Sequence, residues 1–488
     1  MRGDQAGAGE LGIGQVPSLE EDKQLGGDLE RAYGNSPAIW DGRRLGMTDR
    51  DDAYFHRDLE RRYPVIESAR GVYLYDNQGN EYLDFGSGIS VTSIGCSVTE
   101  VTQKIARQLE KTTFVYGGYF TSEPGIKLAE RLLNLCPKGM ARIIFASSGS
   151  QANEVAIKIA RQYHCERGNT SKYKVVSRRF SYHGNTLGSL SVSGRSSWRQ
   201  YFLPYMYDFP QISPPYCYRC PFGAEYPECG IQCARELEEV ILAEGRETVS
   251  AFIAEPIIGT TVAGVTPPPE YYGIIRSICD KHDVVFIADE VITGIGRTGR
   301  NFGIDHWQVT PDIITVAKGL SAGYAPLSAV VVHNKVYEVV AGGSGKHTQG
   351  FTYTANPLSC AAGLAVLDYI RENNLVETAA ARGKYLHRRL KELGKIDIIG
   401  DVRGRGMLQG IEFVADKETR EPFSTGAGLT SRIVSKAFDR GLVLIAGLGG
   451  CADGVRGDQI QITPAFVISE TEIDRAVEII EEVLLNPW

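Results

Sequence analysis

VVFIADEVITGIGRTG, residues 284–299, and DIITVAKGLSAG, residues 312–323, each drive a short apolar run into a charged residue. The first run ends at Asp289 and the second at Lys318. An acid closing a buried apolar strand is costly to ionise without a partner, which gives Asp289 a functional reading. A lysine in the same setting loses hydration, so its ammonium deprotonates more easily and the free amine becomes a nucleophile. Gly319 and Gly323 follow, leaving flexible chain beside that amine. Either residue alone also fits a salt-bridged or snorkelling strand end. Two of them closing neighbouring apolar runs favour a shared site.

Working outward, the same kind of run recurs in RIIFASS (142–148), KVVSRR (174–179), AFIAEPII (251–258) and SAVVVH (328–333). Between and before these lie segments with apolar positions at helical spacing, at 99–112, 124–136 and 151–164. This alternation predicts an α/β fold built on a mostly parallel sheet covered on both faces, with ligands beyond the carboxyl ends of the strands. VYLYDNQGNEYLDF (72–85) reads as two short strands around a turn at Asn77 to Asn80. Past about residue 365 the pattern changes. The helix AAGLAVLDYIREN (361–373) leads into a lobe with MLQGIEFVAD (407–416), LVLIAG (442–447) and QIQITPA (459–465) as strands, closed by a helix at 471–485. The expected organisation is a flexible extension at 1–50, an N-terminal lobe at 51–100, a large domain at 101–364 and a small α+β C-terminal domain at 365–488.

Composition bounds the function. With 488 residues, 43% hydrophobic and 23% charged, and a net charge of -7, the chain reads as a soluble globular enzyme without the basic footprint of a nucleic-acid binder. It has no run near the ~18 apolar residues of a membrane span and no apolar signal core after its start, so a cytoplasmic location is expected. Ten cysteines are too sparse for a disulfide scaffold of this size. Cys217, Cys220, Cys229 and Cys233 nevertheless cluster in CYRCPFGAEYPECGIQC (217–233), a loop insertion whose spacing fits a structural zinc, free thiols or a disulfide. No catalytic metal is assigned.

DEVITGIGRTG followed by AKG resembles the signature of the class III aminotransferases, fold-type I pyridoxal-phosphate enzymes, and the resemblance runs from about residue 60 to the C-terminus. It implies a large, mostly parallel seven-stranded-type sheet domain with a smaller α+β C-terminal lobe. It also implies pyridoxal 5′-phosphate, with Lys318 carrying the cofactor covalently and Asp289 facing its ring nitrogen. SSGSQANEVAIK (147–158) is a Ser/Gly-rich turn opening a helix, a setting that suits a phosphate and also an ordinary N-cap. By resemblance, Ser148, Gly149 and Ser150 hold the cofactor phosphate. In SYHGNTLGSLS (181–191), Tyr182 matches the aromatic residue on one face of the ring, with His183 beside it and Val291 on the opposite face.

QGFTYTANPLSCAA (349–362) resembles the segment that reaches a partner's phosphate, which makes Thr352 the matching hydroxyl and implies a homodimer with shared sites. DVRGRGMLQGIEF (401–413) resembles the segment whose arginine binds a substrate carboxylate, so Arg403 takes that role, with Glu255 of AEPIIG as its screening partner. The loop after Glu255 departs from the family pattern, reading EPIIGTTVAG with Ile258 where a glutamine is usual. Tyr119 and Phe120 are expected either as pocket wall or as core. The implied reaction moves an amino group from a primary amine, ω-amino acid or amino acid to an α-keto acid, aldehyde or ketone. Racemisation, aminomutation or decarboxylation on the same scaffold is the rival; a scaffold without catalysis would have no use for Lys318 and Asp289.

Overall fold

A computed structural model describes residues 53–194 and 196–488, so the extension expected at residues 1–50 lies outside the described residues. The chain enters through β1 (Ile66–Arg70), β2 (Tyr73–Asp76) and β3 (Glu81–Asp84), antiparallel neighbours in a small sheet. Two helices follow, α1 (Thr99–Lys111) and α2 (Glu123–Leu133).

The centre of the molecule is a seven-stranded sheet. Its strands are β4 (Met140–Ala146), β5 (Lys174–Arg178), β6 (Gln211–Ile212), β7 (Val249–Ala254), β8 (Val285–Asp289), β9 (Ile313–Val316) and β10 (Ser328–His333), in the spatial order β4-β10-β9-β8-β7-β5-β6. All pairings from β9 across to β6 are parallel, while β10 runs antiparallel to both neighbours. Every residue of β7, β8 and β9 is buried, which is why these strands read as continuous apolar runs rather than alternating ones.

Helices cover both faces of that sheet. On one, α3 (Gly149–Glu166) lays Ala152, Val155, Ala156 and Ile159 against Ile253, Val285 and Ile313. On the other, α4 (Gln232–Glu244) and α5 (Tyr271–His282) pack Leu237, Ile241, Tyr272 and Ile275 against Phe252 and Phe286. Burying each of the Val, Leu, Ile and Phe side chains of this layer is worth ~1.5–3 kcal/mol relative to leaving it exposed.

Beyond α6 (Asn334–Gly342) and α7 (Pro357–Glu372), α8 (Leu375–Glu392) leads into a four-stranded sheet of order β11-β12-β15-β14. Its strands are β11 (Ile399–Arg405), β12 (Leu408–Phe413), β14 (Ile445–Ala446) and β15 (Asp458–Ile462). The helices α9 (Leu429–Phe438) and α10 (Glu470–Leu485) back it. LVLIAG, read as one strand, is two: β13 (Leu442–Val443) joins β3 in parallel, and after Leu444 the chain switches to pair with β15. An apolar run spanning two sheets shows its composition in the sequence but not its break.

Candidate active site

The ends of β8 and β9 build the site. Their register sets Asp289 opposite Thr315, so the chain leaving β9 carries Lys318 past the same edge of the sheet. Lys318 sits at φ +38°, a conformation that strains any residue with a side chain. Burial lowers its ammonium pKa to about 8, against the pull of Asp289 and Glu255 in the opposite direction.

Asp289 is buried among hydrogen-bonding groups. His183 Nδ1 lies 2.7 Å from its Oδ2, Asn153 Nδ2 donates to the same oxygen at 2.8 Å, and the Val291 amide donates to Oδ1 at 3.1 Å. Thr315 steadies Asn153, its hydroxyl donating to Asn153 Oδ1 at 2.8 Å. Among the described residues no guanidinium pairs with Asp289, so its carboxylate is oriented without being neutralised by one of their arginines.

These groups open onto a cavity of about 410 Å³. It is lined by Lys318, Asp289, Asn153, Tyr182, His183 and Glu255, together with Ser148, Gly149, Ser150 and Val291. One end is the N-terminus of α3, capped by Ser148, whose side chain accepts from the Gln151 amide. Unpaired amides and the helix dipole favour an anion there. Gly149 packs so closely on Val291 that a Cβ would lie 2.9 Å from its Cγ1, and a Cβ on Gly184 would lie 2.5 Å from Ser150 Oγ. Side chains are thus kept out of the turn where an anionic group would sit.

Tyr182 lines one wall, with Trp198 edge-on at 4.8 Å between ring centroids. Glu255 is buried, receives the Tyr182 amide at 3.3 Å and the Gly259 amide at 3.4 Å, and is pushed up to about 7 by burial. Ser148, Gly149, Ser150, Tyr182, His183, Glu255, Asp289, Val291 and Lys318 therefore converge from separate segments of the chain.

Four expected site residues lie elsewhere. Thr352, Tyr119 and Phe120 are exposed, and none lines the cavity. Arg403 does not line it either. Its Nη1 donates to Glu412 at 2.7 Å and to Asp401 at 3.1 Å, and its Nε to the Ala263 carbonyl at 2.8 Å. The expected pairing of Arg403 with Glu255 is therefore corrected: the loop after Glu255 folds back through the Ile258–Val265 bridge, presents Ala263 to Arg403, and leaves Glu255 at the cavity.

Asn153 and Thr315 were not picked out from the sequence. The available signal was a polar side chain on the sheet-facing side of α3 and a hydroxyl inside DIITV, both costly to bury without partners. In the cysteine-rich loop all four thiols are free and line one small pocket. Among the described residues no group of three or more His, Cys, Asp or Glu is arranged to hold a metal ion.

A half-buried lysine and a buried carboxylate face one cavity beyond the carboxyl ends of a parallel sheet, with a helix N-terminus at its rim, an arrangement that suits an anion and an amine. Residues 54–484 match the family Aminotransferase class-III, and the chain belongs to it. It is 42% identical over 429 residues to the uncharacterised aminotransferase YodT of Bacillus subtilis, covering 88% of this chain and 96% of that one. It is 37% identical to the diaminobutyrate–2-oxoglutarate transaminase of Halomonas elongata, covering 85% and 88%. Among solved structures, the omega-transaminase of Pseudomonas jessenii in complex with PMP superposes with a TM-score of 0.82 at 31% identity, covering 87% and 93%. The fold is that of the fold-type I transaminases, and the protein is an enzyme of amino-group transfer.

Proposed function

We propose that the enzyme uses pyridoxal 5′-phosphate to move an amino group from a primary amine, ω-amino acid or amino acid to a keto-acid or carbonyl acceptor. The observation that carries this reading is the convergence of Lys318 and Asp289 on a cavity ending at the N-terminus of α3. The residues present fit the cofactor: the glycine-kept turn suits its phosphate, and Asp289, held in direction by hydrogen bonds while facing the cavity, suits a cationic ring nitrogen. When bound, the cofactor supplies a carbonyl for the amine and a ring that withdraws electrons from the reacting carbon.

Each side chain then has a role. Lys318 Nζ holds the cofactor and, once displaced, moves the proton at the substrate carbon. Tyr182 and Val291 hold the two ring faces, His183 and Asn153 orient Asp289, and Ser148, Gly149 and Ser150 bind the phosphate. Glu255, pushed up to about 7 by burial, serves as a hydrogen-bonding group at the cavity wall. Arg403 receives the acceptor's carboxylate after leaving Glu412.

A homodimer with shared sites completes the reading. Tyr116, Tyr119, Phe120 and Tyr353 are exposed beside Thr352, an apolar group in want of a cover. Ten free cysteines support a reducing, cytoplasmic setting. Among the described residues no helix is long and apolar enough to cross a membrane.

The test is a panel of amines and ω-amino acids offered to the cofactor-loaded enzyme with and without keto acid. Amino transfer requires the acceptor. Racemisation or carbon dioxide release in its absence would replace this reading with the rival one. Borohydride reduction followed by peptide mapping should place the cofactor's mass on Lys318.

A further inference from the structure

The cysteine-rich loop reaches across the molecule to the group that restrains Arg403. Glu412, on β12, has a fully buried side chain, and three donors converge on it. Arg403 Nη1 approaches at 2.7 Å from β11, Arg219 Nε at 2.5 Å from the loop, and the Tyr216 hydroxyl, also from the loop, donates to Oε2. Tyr216 further places its ring 5.0 Å from the Arg403 guanidinium carbon. Glu412 is thus shared by two guanidinium groups, Arg403 Nη1 also reaching Asp401 at 3.1 Å, and Nη2 of both Arg219 and Arg403 is buried without a hydrogen-bond partner.

The sharing has a consequence for Arg403. A buried carboxylate that loses its only cation is left unpaired at a heavy cost, so such a pair holds tightly. A carboxylate with a second guanidinium and a phenol hydroxyl in place stays compensated when the first cation leaves. We propose that Arg219, assisted by Tyr216, is a positioning residue that weakens the hold of Glu412 on Arg403 and thereby sets the affinity for the carboxylate of the amino acceptor. The inference rests on Arg403 being the acceptor's carboxylate site. The incoming carboxylate takes over Nη1 and the unpaired Nη2 of Arg403, while Arg219 and Tyr216 retain Glu412.

The experiment separates the two half-reactions of the cofactor-loaded enzyme, following the cofactor's absorbance. A donor amine without a carboxylate reads the first half, and a keto acid reads the second. Arg219→Gln should raise the keto-acid KM by about tenfold with kcat and the donor half-reaction unchanged, because Arg403 is then the one guanidinium left on Glu412. Arg219→Lys should recover part of the loss, and Tyr216→Phe, which keeps the ring, should raise KM by about twofold. The KM-against-kcat split is what a loosened fold would not give. Arg403→Gln serves as the reference and should raise the same KM more than Arg219→Gln does. If Arg403→Gln raises KM while the Arg219 and Tyr216 variants leave it unchanged, or slow both half-reactions equally, the positioning role is wrong. If Arg403→Gln leaves KM unchanged, the carboxylate reading itself falls, and the inference with it.

Discussion

Asp289 and Glu412 are both buried acids on interior strands, and the chain compensates their charges in opposite ways. Around Glu412 it supplies two guanidinium groups and a phenol hydroxyl, all from its own side chains, and the cluster is closed. Around Asp289 it supplies a histidine, an amide, a hydroxyl and a backbone N–H, and then opens a cavity. The first arrangement meets its acid with the chain's own cations, although Nη2 of Arg219 and of Arg403 keeps no partner. The second fixes a carboxylate in direction and leaves its charge open toward the cavity, with the nearby Lys318 ammonium lowered to about 8 by burial. A functional acid is recognised here by incomplete compensation next to open space, more than by burial.

Removing the amine attacks that comparison most directly. Lys318→Ala should lower turnover by at least about 10⁴-fold, since attachment of the cofactor and proton transfer are lost together. Near wild-type transamination by this variant, read from keto-acid-dependent product, would sink the assignment of the site. Asp289→Asn comes next. It preserves shape and most hydrogen bonds but removes the reserved charge, with an expected loss of about 10²–10³-fold in kcat. The adjacent acid is the control. Glu290 is also buried and pushed up to about 7, yet it spends its oxygens on the Gly303 and Ile304 amides, each at 2.8 Å. Glu290→Gln should lower the melting temperature while leaving kcat within about threefold, because a cap on a loop is lost and no cavity group is touched.

The lowered pKa of Lys318 makes a prediction in the cofactor-free protein. An ammonium does not attack carbonyls, so reactivity follows the free-amine fraction, which for Lys318 rises as pH passes about 8 and then levels off. At that pH an ordinary lysine is only roughly 0.4% deprotonated. Reaction of the apoenzyme with an aldehyde reagent, mapped by peptide mass, should therefore label Lys318 about a hundredfold faster than surface lysines at pH 8. A midpoint near 10.5 for Lys318 would show that burial does not tune the amine.

How much of this was legible in the sequence follows from the same contrast. VVFIAD and DIITVAK announced both the sheet and its two reactive ends, because a strand buried on both faces has to be apolar until the residue that leaves it. The turn at Ser148 to Ser150 and the wall at Tyr182 were likewise local patterns, and both line the cavity. Arg403 was read for its residue type and motif, but its direction is set by Glu412 on the neighbouring strand β12, itself held by Arg219 from an insertion nearly two hundred positions earlier. Sequence spacing says nothing of which acid such an arginine faces. Tyr119, Phe120 and Thr352 are a different case: they stand on the surface of the single chain, where only an assembled partner could give them a pocket.

Asn153 offers the finest test of the reserved charge. It stands on α3 between two loops, donating to Asp289 Oδ2 at 2.8 Å and to the His183 carbonyl at 2.6 Å, while Thr315 fixes its own oxygen. It is neutral, so it directs the carboxylate without competing for its charge. Asn153→Ala removes one of several donors and leaves His183, Thr315 and the Val291 amide in place, so kcat should fall by about tenfold or less. Asn153→Lys asks the opposite question. A cation at that position would neutralise Asp289 permanently, turning it into a closed cluster like that of Glu412. Cofactor affinity and kcat should then fall further than in the alanine variant, toward the level of Asp289→Asn. A lysine variant no worse than the alanine one would mean that orientation alone matters at Asp289, and that the open charge distinguishing the two clusters has no catalytic use.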